Sequence, residues 1–213
     1  MRSTPMSGVL LAAILAVVAV PQAGAFICEP NISLGVVPSA QVVTVGDAFS
    51  VGIQISGLSP RLWRLGPPSL GAFDVDIAFN PAILSLSNVV FGDPKRGDQL
   101  ALLGFGSITG SVPNGGTVNL FEVSLDPVKV LNWFQAPKFT LATLYFDTIA
   151  AGYSEFEFSQ YLLGDVYGAP IIPTRVSDGH VYVAPVPEPA TILLLSSGLV
   201  GLGAAAWRRR RQG

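Results

Sequence analysis

The sequence has few of the residues from which disulfides, metal sites and most hydrolase sites are built. Its 213 residues include one cysteine, Cys28, and one histidine, His180. A lone cysteine cannot form an intramolecular disulfide, and a lone histidine without a Gly-x-Ser-x-Gly sequence gives no recognisable Ser-His-Asp site. The sequence therefore predicts no disulfide-stapled fold and no catalytic residues, and we interpret His180 as a side chain on an edge strand.

Charge is also scarce, at 12% of the chain, and basic charge is scarcest in its central part. Residues 26–186 contain 7 Lys and Arg against 13 Asp and Glu, a net charge of −6. Such a body has no basic face that could neutralise a phosphate backbone. This composition excludes nucleic acid as a predicted partner.

The N-terminal segment has the three parts of a secretory signal peptide. Arg2 precedes an apolar stretch at residues 9–20, and the small residues 23–25 suit a signal peptidase. Twelve apolar residues would span only ~18 Å as a helix, which is too short for a membrane core of ~30 Å. We predict a signal peptide over residues 1–25. Phe26 and Ile27 stand where lipidation of Cys28 would need small residues, so lipid attachment is not favoured.

The C-terminal segment also has three parts in a fixed order. A Pro-Glu-Pro tripeptide comes first, residues 190–207 are apolar or small, and four arginines follow. Eighteen residues measure ~27 Å as a helix, enough to span a bilayer, and the arginines would hold that end in the cytoplasm. The predicted sorting residues are Pro187, Glu188 and Pro189, and the predicted stop-transfer residues are Arg208, Arg209, Arg210 and Arg211.

This arrangement resembles the PEP-CTERM sorting signal of exopolysaccharide-producing Gram-negative bacteria. The resemblance covers residues 186–213 and includes glycines in the apolar segment as well as the tripeptide and the arginines. It implies a partner, an exosortase-like membrane enzyme that reads the tripeptide. It also implies a location: the inner membrane transiently, then the cell surface or the extracellular space. An ordinary membrane anchor that follows prolines is the alternative.

The body between these ends has the pattern of an all-β protein. At residues 49–55 and 73–79 apolar residues alternate with small or polar ones, as in half-buried strands. Further strands are predicted at residues 42–45, 84–91, 118–125, 139–149, 155–159 and 180–183. Residues 114–116, Asn-Gly-Gly, predict a hairpin turn. Eight or nine strands favour a β-sandwich, with residues 139–149 as a central strand covered on both faces.

Two stretches of the body resemble the opening of a cohesin-like domain. Residues 45–51 read VGDAFSV and residues 70–84 read LGAFDVDIAFNPAIL, while residues 139–147 are similar to the central strand of that family. The resemblance implies a jelly-roll β-sandwich over residues 26–185, related to some carbohydrate-binding modules. Cohesins bind dockerins, but a Pro-rich insertion at residues 59–69 departs from the pattern, so that partner is not carried over.

Two carboxylate groups and one aromatic group are the candidate sites of the body. Asp47, Asp74 and Asp76 are weak candidates for a calcium site, because no Asp-x-Asp-x-Asp-Gly loop accompanies them. Glu155 and Glu157 alternate with phenylalanines, as on a solvated strand face. A glycosidase pair such as Asp74 with Glu122 stays open. The candidate ligand-binding residues are Trp63, Trp133 and Phe134, in Pro-bounded loops.

The sequence thus predicts an exported, non-enzymatic cell-surface or extracellular-matrix protein with no cofactor. Its sandwich is expected to bind an exopolysaccharide or another envelope protein. A secreted glycan-active hydrolase and a purely structural matrix protein are the alternatives.

Overall fold

A computed structural model describes residues 31–59 and 69–186, together with residues 195, 197 and 199. Within these residues the chain forms eleven β-strands and one short helix. In chain order they are β1 (Ser33–Val37), β2 (Ala40–Thr44), β3 (Ala48–Ser56), β4 (Leu70–Ala78), β5 (Leu84–Phe91), β6 (Ser107–Asn114), β7 (Thr117–Ser124), α1 (Val128–Phe134), β8 (Lys138–Thr148), β9 (Gly152–Asp165), β10 (Arg175–Ser177) and β11 (Gly179–Ala184).

The strands form two sheets that pack face to face. One has five strands in the order β10-β1-β3-β8-β5, and the other has six in the order β2-β11-β9-β4-β7-β6. Most neighbouring strands are antiparallel, but β1 pairs with β10 and β2 pairs with β11 in parallel. Consecutive strands mostly alternate between the two sheets. The predicted all-β jelly-roll sandwich is confirmed.

The core lies between the sheets because alternate residues of facing strands are apolar. Val51, Ile53 and Ile55 of β3 are buried, and Phe73, Val75 and Ile77 of β4 face them from the other sheet. Phe146 is the centre of an aromatic group, with ring centroids 5.7 Å from Phe49, 5.1 Å from Phe79 and 5.2 Å from Phe156. The strand pattern in the sequence therefore predicted the inner faces correctly.

Strand β8 corrects one detail of the prediction. It lies between β3 and β5, but only its inner face is covered by the other sheet. A β-bulge opposite Ile53 and Gln54 places both Leu141 and Ala142 in the core, which breaks the regular alternation. The apolar residues of this run are nearly continuous because the bulge turns two successive side chains inward. The outer face of β8 carries residues such as Thr140 and Tyr145.

The sequence pattern missed several elements and misplaced one residue. Strands β1, β6 and β10 and helix α1 were not predicted, and β9 is 14 residues long where five were expected. His180 lies on β11, which pairs with both β2 and β9, so its assignment to an edge strand was wrong. The hairpin at residues 114–116 is confirmed: Gly115 has φ +66° and joins β6 to β7.

Several predicted features lie outside the described residues. These are the signal peptide, Cys28, Trp63, the Pro-Glu-Pro tripeptide and the four terminal arginines. Of the predicted membrane segment 190–207, only residues 195, 197 and 199 are described, and they are helical. No helix within the described part of the chain is both long and apolar enough to cross a bilayer.

Candidate binding surface

Several exposed apolar side chains lie together on the outer face of β9, β4, β7 and β6, which we call the docking face. Cross-strand register places Leu162, Asp74, Phe121 and Gly110 in one row across these four strands. The next row contains Val123 and its neighbour Ile108 on β6. Leu162 is 61% exposed, Ile108 56% and Val123 44%. Exposed apolar side chains that adjoin one another in this way are typical of interaction surfaces.

A groove runs along this face beside Phe121. It has a volume of about 400 Å³, and residues of β4, β7 and β9 form most of its lining. Its residues are Ala72, Phe73, Asp74, Phe121, Val123, Leu162, Leu163, Gly164, Gly168 and Pro170. The glycines at 164 and 168 leave one wall without side chains, so the groove stays open to solvent.

An amide between two carboxylates forms the polar part of the docking face. The side-chain nitrogen of Asn119 donates hydrogen bonds to Asp74 Oδ1 and Asp76 Oδ1, each 2.6 Å long. One amide group thus fixes both carboxylates on the outer face of β4. A partner with amide or cationic groups could pair with their remaining oxygen atoms.

The residues predicted as calcium ligands are not gathered in one site. Asp47 lies in the turn between β2 and β3, where its Oδ2 accepts the backbone N–H of Thr44 at 2.9 Å. Asp74 and Asp76 lie on β4 in the middle of the six-stranded sheet. Within residues 31–59 and 69–186, no three His, Cys, Asp or Glu side chains converge as metal ligands do.

A buried carboxyl group lies on the inner side of the same strand, directly behind the docking face. Glu122 shares its face of β7 with Val118 and Leu120, and its exposure is 0%. Neither of its carboxyl oxygens has a hydrogen-bond partner of good geometry, although Asp98 and Ser107 lie close by. Burial, with a smaller contribution from the Asp98 carboxyl, raises the pKa of Glu122 to about 8. This glutamic acid is therefore protonated at neutral pH.

Glu122 and Asp74, the carboxylate pair left open by the sequence, lie on opposite faces of the sheet. The residue opposite Asp74 is Phe121, and the residue opposite Glu122 is Phe73. An acid and a base on opposite sides of a sheet cannot act on one glycosidic bond. Glu155 and Glu157 are exposed on β9, as the alternation with phenylalanine predicted.

The loop that covers Glu122 is held by polar contacts. The hydroxyl of Ser124 donates to the carbonyl of Leu100 at 2.5 Å, and Asp126 Oδ2 accepts the N–H of Leu102 at 2.5 Å. Leu100 itself is fully buried. These contacts therefore hold the first part of this loop, up to Leu102, against the end of β7, while Leu103 and Phe105 are exposed.

The predicted ligand-binding aromatics are only partly described. Trp133 and Phe134 lie at the end of helix α1, not in a loop, and each is 67% exposed. They are on the surface and do not fold back into the core. Their role in binding stays a prediction. Trp63 lies outside the described residues.

Sequence reasoning missed the docking face, although the sequence contains a signal for it. Residues 118–123 of β7 are apolar at Val118 and Leu120 on one face and at Phe121 and Val123 on the other. In a sandwich of two sheets only one face of a strand packs in the core, so apolar residues on the other face indicate an exposed apolar surface.

Comparison with known proteins identifies the tail and the fold separately. Residues 185–211 match the PEP-CTERM protein-sorting motif. No curated protein matches the chain. The sandwich resembles the sixth cohesin of scaffoldin B from Acetivibrio cellulolyticus, solved with a dockerin, at 15% identity and a TM-score of 0.55; the match covers 72% of this chain and 99% of that cohesin.

Two further cohesins show the same likeness. A type I cohesin solved with a dockerin from Clostridium thermocellum has 12% identity and a TM-score of 0.55, over 74% of this chain and 96% of its own. A non-cellulosomal cohesin from Archaeoglobus fulgidus has 12% identity and a TM-score of 0.50, over 76% and 95%. At such identities the likeness establishes the fold alone. The chain thus carries a PEP-CTERM protein-sorting motif at residues 185–211 behind a cohesin-like β-sandwich.

Proposed function

We propose that this protein is an exported, non-enzymatic binding module that docks a protein partner on the docking face. The observation that carries the proposal is the row of exposed apolar side chains around Phe121, on a face that no other part of the described chain covers. Burying such side chains against a partner removes apolar surface from water, and each Å² contributes about 25 cal/mol.

The composition of the face favours a protein over a sugar. The exposed side chains around Phe121 are mainly branched aliphatic ones, such as Leu162, Ile108 and Val123. Aliphatic side chains offer no hydrogen bonds to sugar hydroxyls, whereas they pack well against apolar side chains of a protein partner. The carboxylates of Asp74 and Asp76 add a requirement for amide or basic groups in the partner. Two of the similar cohesins were solved with dockerins, which makes a dockerin-like module one such partner.

The tail supports export and processing. The match at residues 185–211 is consistent with a protein that is held in the inner membrane until an exosortase-like enzyme acts near Pro187, Glu188 and Pro189. Release would then place the sandwich, with its docking face, at the cell surface or outside the cell.

Site-specific crosslinking in the native bacterium tests the docking proposal. A photoreactive amino acid replaces Leu162 or Ile108 on the docking face, and in a matched control it replaces Val42, which is 75% exposed on β2 at the far edge of the sheet. We expect the two docking-face positions, and not position 42, to crosslink to the same protein.

The crosslinked protein is then purified and its affinity for the full-length chain is measured in non-ionic detergent. Leu162→Asp should weaken the complex by at least about tenfold, because a charge would be buried against apolar surface. Equal crosslinking at all three positions, or an affinity unchanged by Leu162→Asp, would refute the docking face.

A further inference from the structure

The opposite side of the sandwich has a groove of a different chemical character. On the outer face of the five-stranded sheet, Gly35 lies beside Gln54, and Gly52 lies beside Val37 and Thr143. The two glycines leave the middle of this face without side chains, and the flanking residues Ser50, Gln54 and Thr140 are polar. The sheet therefore has a shallow trough lined with hydroxyl and amide groups.

Two adjoining hollows extend along this trough. The larger, of about 450 Å³, is lined by Val37, Pro38, Ser50, Gly52, Gln54, Asp93, Pro94, Lys95, Thr140, Thr143 and Tyr145. The smaller, of about 290 Å³, is lined by Gln54, Asp93, Arg96, Gly97, Gln99, Ala136, Lys138, Phe139 and Thr140. They share Gln54, Asp93 and Thr140, so they form one elongated groove, which we call the basic groove.

Cations are concentrated at the basic groove, although the protein as a whole is acidic. Five Lys and Arg residues lie in residues 31–59 and 69–186, and three of them, Lys95, Arg96 and Lys138, line the groove. None of these three forms a salt bridge with a carboxylate in the described part of the chain. Their charges remain available to a ligand.

The one carboxylate that lines the basic groove holds the loop that presents two of these cations. Asp93 Oδ1 accepts the backbone N–H groups of Lys95, at 2.8 Å, and Arg96, at 3.0 Å. These hydrogen bonds, with the charges of Arg96 and Lys95, keep the pKa of Asp93 below its usual value. Asp93 therefore stabilises the turn. The groove is lined by three cations, Lys95, Arg96 and Lys138, and by one carboxylate, that of Asp93.

We infer that the basic groove binds an acidic, carboxylate-bearing polysaccharide. Sugar hydroxyls can pair with Ser50, Gln54 and Thr140 along the floor, and the ring of Tyr145 at one end can stack on a sugar ring. Lys95, Arg96 and Lys138 can pair with carboxylates along the chain. The elongated shape suits a polymer better than a single small anion.

This inference is independent of the proposed docking of a protein. The basic groove lies on the five-stranded sheet and the docking face on the six-stranded sheet, on opposite sides of the sandwich. Both surfaces can be occupied at once, so one molecule could link a protein partner to an acidic polymer.

Affinity electrophoresis of the full-length chain in non-ionic detergent tests the inference, with polygalacturonate as the probe in the gel. We expect polygalacturonate to retard the chain, neutral dextran to leave its mobility unchanged, and added salt to reduce the effect because exposed charges are screened. Replacing the three cations together (Lys95→Gln, Arg96→Gln, Lys138→Gln) should weaken binding by at least about tenfold.

Two matched variants separate the groove from charge in general. Lys129→Gln removes a cation of α1 that does not line the groove and should leave the retardation unchanged, whereas Lys95→Gln alone should reduce it. Gln54→Ala keeps every charge and should still weaken binding severalfold. The inference is overturned if polygalacturonate does not retard the wild-type chain, if the groove and control variants behave alike, or if polyglutamate binds as tightly as polygalacturonate.

Discussion

The ring of Phe121 on β7 lies over the backbone of Gly110 on the neighbouring strand β6. A Cβ atom built at residue 110 would collide with the far end of that ring. Gly110 thus allows the ring to lie across the strand, where it forms part of the docking face rather than standing out into solvent. The glycine within strand β6 thus determines how the ring of the cross-strand residue Phe121 lies on the docking face.

Because Phe121 lies outside the core, its removal should cost little stability. We expect Phe121→Ser to change the free energy of unfolding by about 1 kcal/mol or less, as surface substitutions usually do. Phe156→Ala, in the fully buried aromatic group, should cost about 3–5 kcal/mol. Urea unfolding of both variants checks the assignment of inner and outer faces. Equal losses would mean that β7 has the wrong register.

The buried Glu122 should make stability depend on pH. Its pKa in the folded state is about 8, against 4.5 for an ordinary glutamic acid, so the folded protein binds the proton more tightly than the unfolded chain. The resulting stabilisation is complete below pH 4.5 and is lost as the pH rises through 8.

Glu122→Gln should remove this part of the pH dependence. Between pH 5 and pH 9 the wild-type protein should lose about 4 kcal/mol more stability than the variant, measured by urea unfolding at each pH. Glu157→Gln, on the exposed face of β9, is the matched control and should behave as the wild type. Parallel curves for wild type and Glu122→Gln would show that Glu122 ionises freely and is not buried as described.

Gln135 should be one of the most sensitive polar residues of the sandwich. Its side chain is buried, accepts the N–H of Leu70 at 2.7 Å and donates to the carbonyls of Leu70, at 3.0 Å, and Gln99, at 3.2 Å. Gln135→Ala would leave these buried groups unpaired and should cost about 2–4 kcal/mol. The same measurement on Gln160→Ala, an exposed position on β9, should show little change. Similar values for the two variants would contradict the described contacts.

The carboxylates beside Asn119 should behave as surface groups and not as metal ligands. We expect the double change Asp74→Asn with Asp76→Asn to alter stability by roughly 1 kcal/mol or less. Millimolar calcium should leave the melting temperature of the wild type unchanged. A calcium-dependent rise in the wild type that the double variant lacks would establish a metal site there.

The fold was predictable because its inner faces repeat a simple alternation. Residues 49–55 and 73–79 place apolar side chains on one face of each strand, and β3 and β4 form as expected. The pattern failed where alternation is weak. β6 is mostly exposed and contains a proline, and the bulge at Leu141 made β8 look covered on both faces.

The candidate surfaces were less predictable, because they depend on which strands become neighbours. Lys138 lies 42 residues after Arg96 in the sequence. The pairing of β5 with β8 brings it near the loop after β5 that carries Lys95 and Arg96. Of the two tryptophans predicted to bind a ligand, only Trp133 is described, and it does not line the basic groove. The sorting motif, by contrast, was recognisable because its three parts are contiguous.

The intact mass of the protein recovered from outside native cells tests whether the sandwich is exported and then released by processing at its tail. We expect a mass that lacks residues 1–25 and the terminal residues Arg208–Arg211, and retention in the inner membrane when Pro187, Glu188 and Pro189 are all replaced by alanine. An external protein that still carries the four arginines, or an unchanged location after the alanine substitutions, would contradict it.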